Sequence, residues 1–176
     1  MTLKVVDTNV ILVANDAHEG VSPECVIECV NRLTQLMGNG SIAIDDAYRI
    51  VGEYQNRTNP RKGKGVGDVF LKWVLSRLGD TSRVQQVMLT ELSDNHFAEF
   101  PSPALEKRFD PPDRKFVAVA YAHPAKPHIF QAADSKWLDW WPDLSAAGVQ
   151  VEFLCPDDVC RIYKRKFPKK PVPNLP

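Results

Sequence analysis

The chain has 176 residues, with 22 basic and 22 acidic side chains and a formal net charge of zero. That length and an ordinary share of apolar and charged residues fit one globular domain with a real core. Neutrality gives no global sign of a nucleic-acid binder, so such a function has to rest on local patches. No apolar run reaches the roughly 18 residues that a membrane-spanning helix needs.

Residues Met1 to Lys4 lead straight into an apolar run and leave no room for a signal peptide. Leu3 to Leu12 reads as a buried central strand, with Asp7 near its carboxyl end. Ser22-Pro23-Glu24 is a helix start, with an N-cap, a first-position proline and a first-turn acid. Val26, Ile27, Val30, Leu33, Leu36 and Met37 supply its apolar stripe, and Gly38-Asn39-Gly40 ends it. Ser41 to Ile44 is a second strand closed by Asp45-Asp46, and a helix over 47–57 carries Glu53 near its apolar face. Asn59 to Gly67 is a basic, glycine-rich connection without the Gly-Lys-Ser/Thr ending of a Walker loop. A helix with Val69, Phe70, Trp73, Val74 and Leu78 inward follows, then an extended segment over 83–89 and a mixed, proline-punctuated stretch over 97–108.

Asp113 is an N-cap or first-turn residue for the helix containing Phe116 to Tyr121. His128 to Ala133 is a buried strand ended by Asp134, and Ser135 to Trp141 opens a short helix. Val149 to Leu154 is the last strand, and 157–163 the last helix. Residues 1–160 form the expected domain, and 161–176 a basic, proline-rich tail. Strands alternating with helices predict an α/β fold with a mainly parallel sheet covered on both faces. Cys25 and Cys29 lie one helical turn apart, and Cys155 and Cys160 sit near the end. Neither a Cys-x-x-Cys pair nor zinc spacing is present, so the expectation is reduced thiols in a cytoplasmic protein.

Asp7 and Asp134 end buried strands, Glu53 lies in the helix after the second strand, and Asp113 starts the helix before the Asp134 strand. In a parallel sheet these acids can converge at the carboxyl edge, where open α/β sheets bind ligands. The alternative is four independent caps and surface acids. Converging carboxylates need a countercharge, and hard oxygen donors suit Mg²⁺ or Mn²⁺. Such ions support in-line attack on a phosphodiester.

The order of these pieces resembles the PIN-domain family of metal-dependent nucleases. The matching segments are Val5-Val6-Asp7-Thr8-Asn9-Val10, then Ile42-Ala43-Ile44-Asp45 with Ile50-Val51-Gly52-Glu53-Tyr54, then Asp113 to Ala120, then Ala133-Asp134-Ser135. The resemblance implies a Rossmann-like three-layer α/β/α sandwich and hydrolysis of single-stranded RNA with Mg²⁺ or Mn²⁺, leaving a 3′-hydroxyl and a 5′-phosphate. It makes Asp7, Glu53, Asp113 and Asp134 the catalytic, metal-binding acids, with Thr8, Asn9 and Ser135 supporting the site or a phosphate. It also implies homodimers and, for toxin-type members of toxin–antitoxin pairs, an antitoxin partner. The present chain has extra material over roughly 63–109 and a basic tail, which compact toxin-type members lack.

Arg57, Arg61, Lys62 and Lys64 follow the Glu53 helix, and Arg114, Lys115 and Lys136 flank two of the acids. They are candidate phosphate contacts or ordinary surface charge. Trp137, Trp140 and Trp141 could stack bases or pack on the sheet. Asp139 is a further acid or a solvated residue, Asp45, Asp46 and Asp110 are turn and cap residues, and the four histidines lack ligand spacing. The competing function is a non-catalytic PIN-like module that binds RNA or protein. A haloacid-dehalogenase-type phosphatase would want an acid where Asn9 stands, and a receiver domain would want its phospho-acceptor at the end of the strand midway along the chain and a lysine after the last strand.

Overall fold

A computed structural model describes residues 2–59 and 63–176. Arg61 and Lys62, two of the candidate phosphate contacts, lie outside the described residues.

β1 (Leu3–Val6) is the middle of a five-stranded parallel sheet. β2 (Ser41–Asp45) and β3 (Val84–Val87) extend it on one side, and β6 (His128–Gln131) and β7 (Val151–Phe153) on the other, giving the order β3-β2-β1-β6-β7. Every neighbouring pair in this sheet is parallel, with Lys4 opposite both Ile42 and His128, and Val6 opposite Phe130. The chain winds outward from β1 through β2 to β3, then returns to the other side of β1 as β6. The direction of winding therefore reverses between β1 and β6. α1 (Thr8–Ala14), α2 (Pro23–Asn39) and α4 (Val66–Ser76) pack on one another. α6 (Arg114–Ala122) crosses β1, β2 and β6, and α7 (Trp137–Ala146) packs beside β7. This is the Rossmann-like α/β/α sandwich expected from the order of elements.

The opening run is not one strand. β1 stops at Val6, and Val10, Ile11 and Val13 are buried in α1. The backbone N–H of Asn9 donates to Asp7 Oδ1 at 2.7 Å, so Asp7 caps a helix that begins one residue after it. β-branched residues serve both periodicities, which is why the run read as continuous strand. The buried face of α2 is also displaced from the expected stripe. It consists of Cys25, Cys29, Leu33 and Leu36, spaced by four, four and three residues, while Ile27 is 58% exposed. Cysteine acts there as a small apolar residue.

The glycine pattern before α4 has a packing cause. A Cβ on Gly67 would lie 2.3 Å from the Ile11 carbonyl oxygen, and one on Gly65 would lie 2.2 Å from Asn15 Oδ1. These glycines let α4 approach the end of α1. Asp68 completes the join: its N–H donates to Asn15 Oδ1 at 3.0 Å, and its carboxylate accepts from Asn15 Nδ2 at 3.2 Å. Val69, expected inward, is exposed, and Leu71 is buried instead.

After β3 come a hairpin of β4 (Glu91–Ser93) and β5 (His96–Phe97), which the sequence did not signal, then, in the mixed stretch, α5 (Pro103–Glu106), followed by a 3-10 turn over Pro111–Asp113. Phe109 stacks on Trp140 with centroids 4.1 Å apart and meets Trp137 edge-on. These tryptophans are buried packing residues, not base-stacking platforms. Their cluster anchors the approach to Asp113 onto α7, the helix that follows Asp134.

α5 is the fifth helix in chain order, after α3 (Arg49–Arg57) and α4, and α8 (Pro156–Lys166) is the last. The boundary expected at residue 160 falls inside α8, so Arg161 to Lys166 are helical and not part of a tail. Trp141 Nε1 donates to the Asn174 carbonyl at 2.9 Å, bringing the proline-rich end back onto α7. Among the described residues, no helix is long and apolar enough to cross a membrane.

Cys25 and Cys155 form a disulfide across 130 residues, while Cys29 and Cys160 are free. This corrects the expectation of four reduced thiols. The pairing depends on how α8 docks on α2, a contact that sequence spacing cannot reveal. Denaturing thiol titration should count two free cysteines before reduction and four after it. Cys25→Ser should lower unfolding free energy by about 2–4 kcal/mol under non-reducing conditions. Four free thiols in the purified native protein would contradict the pairing.

Candidate metal centre

The four predicted acids meet. Asp7, Glu53, Asp113 and Asp134 all line one cleft of about 680 Å³, together with Thr8, Asn9, His18, Asn56, Arg57 and Asp110. Asp7 follows β1 and Asp134 lies three residues after β6, so the cleft sits beyond the carboxyl ends of the two strands where the winding reverses. Crevices at such switch points are the usual ligand sites of open parallel sheets.

Each acid is placed by a separate local device. Asp7 is held by the Asn9 N–H. Glu53 arrives on α3, which Asp45 caps by accepting from the N–H groups of Arg49 and Ile50, both at 2.9 Å. The next residue, Tyr54, is buried and donates its hydroxyl to the Val6 carbonyl. Glu53 itself accepts from the Thr8 hydroxyl at 2.6 Å. Tyr54 and Glu53 thus key α3 onto the β1–α1 junction. Asp113 occupies the N-cap position of α6 but makes no capping hydrogen bond with its side chain, so its carboxylate serves no helix. Asp134 accepts from the Lys136 N–H at 3.2 Å, and the preceding turn is tied to α1 by Ala133 N–H donating to Asn9 Oδ1 at 2.8 Å.

The supporting residues divide. Thr8 orients Glu53, and Asn9 joins α1 to the Asp134 turn; both line the cleft. Arg57 lines it too, one helical turn after Glu53. Lys136 lies at its margin, paired with Asp110. Ser135 is fully buried and does not line the cleft, so its expected role at the site is corrected to a position in the turn beneath it. Arg114 is corrected as well. Its guanidinium is turned away and donates to the Phe109 carbonyl at 3.1 and 3.2 Å, which fastens the 97–109 segment to α6. Lys115, a candidate phosphate contact, is buried and forms an ion pair with Glu53. Asp139 accepts from the Tyr163 hydroxyl at 2.7 Å, joining α7 to α8 away from the acids. His18 was not singled out by the sequence, because a lone loop histidine carries no pattern; it lines the cleft, with a buried Nδ1 that has no partner among the described residues.

Charge in the cleft is poorly balanced. Burial pushes the Asp7 carboxyl up to about 7, with the charges of Asp134 and Glu53 adding to it and the Asn9 N–H and Lys115 opposing. Burial likewise pushes Asp113 up to about 8, reinforced by Asp7, Asp134, Asp110 and Glu53. Lys115 balances Glu53, and the three aspartates have no ammonium or guanidinium partner among the described residues. A divalent cation fits this donor set: hard carboxylate oxygens, a polar cleft and a deficit of positive charge. Among the described residues, Cys25, Cys29 and Cys155 are the group of three with ligand atoms all within 4.8 Å of one another. No three of the four acids bring their ligand atoms that close together.

No family model, no curated protein and no solved structure matches the chain. Assignment of the site therefore rests on its chemistry.

The raised acids set a sign for stability. An unfolded Asp releases its proton near 3.8, whereas Asp7 and Asp113 keep theirs to about 7 and about 8. Between those values the native state holds more protons than the unfolded chain, so stability falls as pH rises. The Tm of metal-free protein should fall between about pH 5 and pH 8 and level off above that, and Asp113→Asn should flatten the profile. A wild-type Tm that is flat or rising over that window would contradict the buried, unbalanced cluster.

Proposed function

We propose that this protein is a Mg²⁺- or Mn²⁺-dependent ribonuclease of the PIN type, hydrolysing phosphodiester bonds of single-stranded RNA. One observation carries the proposal: Asp7, Glu53, Asp113 and Asp134, predicted as a set from the order of elements, line one cleft at the switch point of the sheet.

Asp7, Asp113 and Asp134 are the residues that would hold the ion, with Glu53 beside them under the control of Lys115 and Thr8. When bound, a divalent ion supplies Lewis-acid stabilisation of phosphoryl oxygens and a water acidic enough to lose a proton near neutral pH. The chain supplies the remaining parts. Asp7 and Asp134 each accept a backbone N–H at one carboxylate oxygen, and both residues line the cleft. Thr8 and Lys115 fix both oxygens of Glu53. Arg57 offers a guanidinium to a phosphate entering the cleft. The non-catalytic binding module accounts less well for the set, since like charges gathered in one cleft are unfavourable without a cation to offset them.

Calorimetry should show Mn²⁺ binding by the wild type, with proton release that grows as the pH falls below about 8. Asp134→Asn should weaken Mn²⁺ binding by at least about tenfold. Asp7→Asn should reduce cleavage of single-stranded RNA at least about 100-fold while remaining folded. Equal cleavage by wild type and both variants would overturn the assignment.

A further inference from the structure

α8 is held to the body at several points. Cys155, the residue just before it, is bonded to Cys25 of α2. Asp158 accepts from the Ser22 hydroxyl at 2.6 Å. Arg161 donates to the Gly20 carbonyl at 2.8 Å, and Tyr163 donates to Asp139 at 2.7 Å. These contacts fix the direction of the helix and so the position of its last turn.

In that turn, Arg165 and Lys166 wall a second cleft of about 480 Å³, which Lys136 also lines. This cleft shares Asn9, His18 and Asp134 with the acid cleft. The two are neighbouring parts of one depression, acidic in one part, while in the other Lys136, Arg165 and Lys166 outnumber Glu19 and Asp134. Lys136 is paired with Asp110, but Arg165 and Lys166 take part in no ion pair among the described residues. Arg57 lines the acid cleft.

An anionic strand is repelled by a cleft holding four carboxylates. A metal offsets that charge only at the centre, and the flanking phosphates need cations of their own. We propose that the α8 wall, Arg165 and Lys166, binds the phosphodiester backbone of a single-stranded polynucleotide beside the acid centre. This rests on the nuclease reading and deepens it.

The test is binding of short, labelled single-stranded RNA and DNA by fluorescence anisotropy. It uses the full chain with Ca²⁺ as the divalent ion, across a salt series, with Mn²⁺-dependent cleavage of an unlabelled RNA measured separately. The double variant Arg165→Glu, Lys166→Glu should bind RNA at least about tenfold more weakly near 0.1 M salt and lose roughly 1 to 2 from the slope of log Kd against log salt. The charge-preserving pair Arg165→Lys, Lys166→Arg should stay within about twofold of wild type. Equal losses for RNA and DNA support a phosphate wall. A loss confined to RNA overturns it in favour of 2′-hydroxyl recognition. If the wild type binds and the reversed variant binds equally well, the wall is refuted while the nuclease reading stands or falls on cleavage. If α8-dependent binding occurs without Mn²⁺-dependent cleavage, the nuclease reading fails and the wall stands as a single-strand binding surface. Failure of the wild type to bind either strand overturns the wall.

Discussion

Repulsion among carboxylates gathered in one cleft is the constraint on which the rest of this structure depends. Asp7, Glu53, Asp113 and Asp134 sit on four segments far apart in sequence, and nothing about them favours proximity. Lys115 answers one of the four. Burial and mutual repulsion raise Asp7 and Asp113 into the neutral range, so in the absence of a cation the fold carries a cost at this point. That cost is borne by local devices around the cleft: the Asn9 N–H on Asp7, the Tyr54 hydroxyl on the Val6 carbonyl, and the aromatic cluster that anchors the approach to Asp113. Each is a structural contact whose consequence is to position an acid.

Sheet topology does the coarse placement. Reversal of the winding between β1 and β6 leaves a crevice beyond their carboxyl ends. The residue following β1 and the turn following β6 must then face the same space. The segment between β3 and α6 has a related role. Arg114 grips the Phe109 carbonyl and Glu106 accepts from the Phe97 N–H at 2.8 Å, which makes the segment a rigid support for the 3-10 turn that delivers Asp113.

Asp7, Asp113 and Asp134 stand at a strand end, a helix start and a turn after a strand, which are local features, whereas Glu53 lies inside α3 and joined the set through the resemblance. The parallel sheet was legible from such local features too. Where local signals served two purposes, the reading slipped. β-branched residues fit both β1 and α1, so the turn at Asp7 was hidden inside an apparent strand. Cys25 and Cys29 hold the buried face of α2, which the aliphatic stripe beside them concealed. Arg114 sits next to Asp113 in sequence, yet a helix turns neighbouring side chains by about 100°; adjacency to an acid says little about facing it. The Cys25–Cys155 bond and the joining of Arg165 and Lys166 to the cleft depend on the docking of α8. Such long-range contacts leave no trace in spacing.

The central claim, that the acids form a divalent-cation site, is tested most directly by anomalous scattering from crystals equilibrated with Mn²⁺. The account predicts a peak in the cleft between Asp7, Asp113 and Asp134 that disappears in Asp134→Asn. A well-ordered cleft without manganese, or manganese held only elsewhere on the protein, would contradict it.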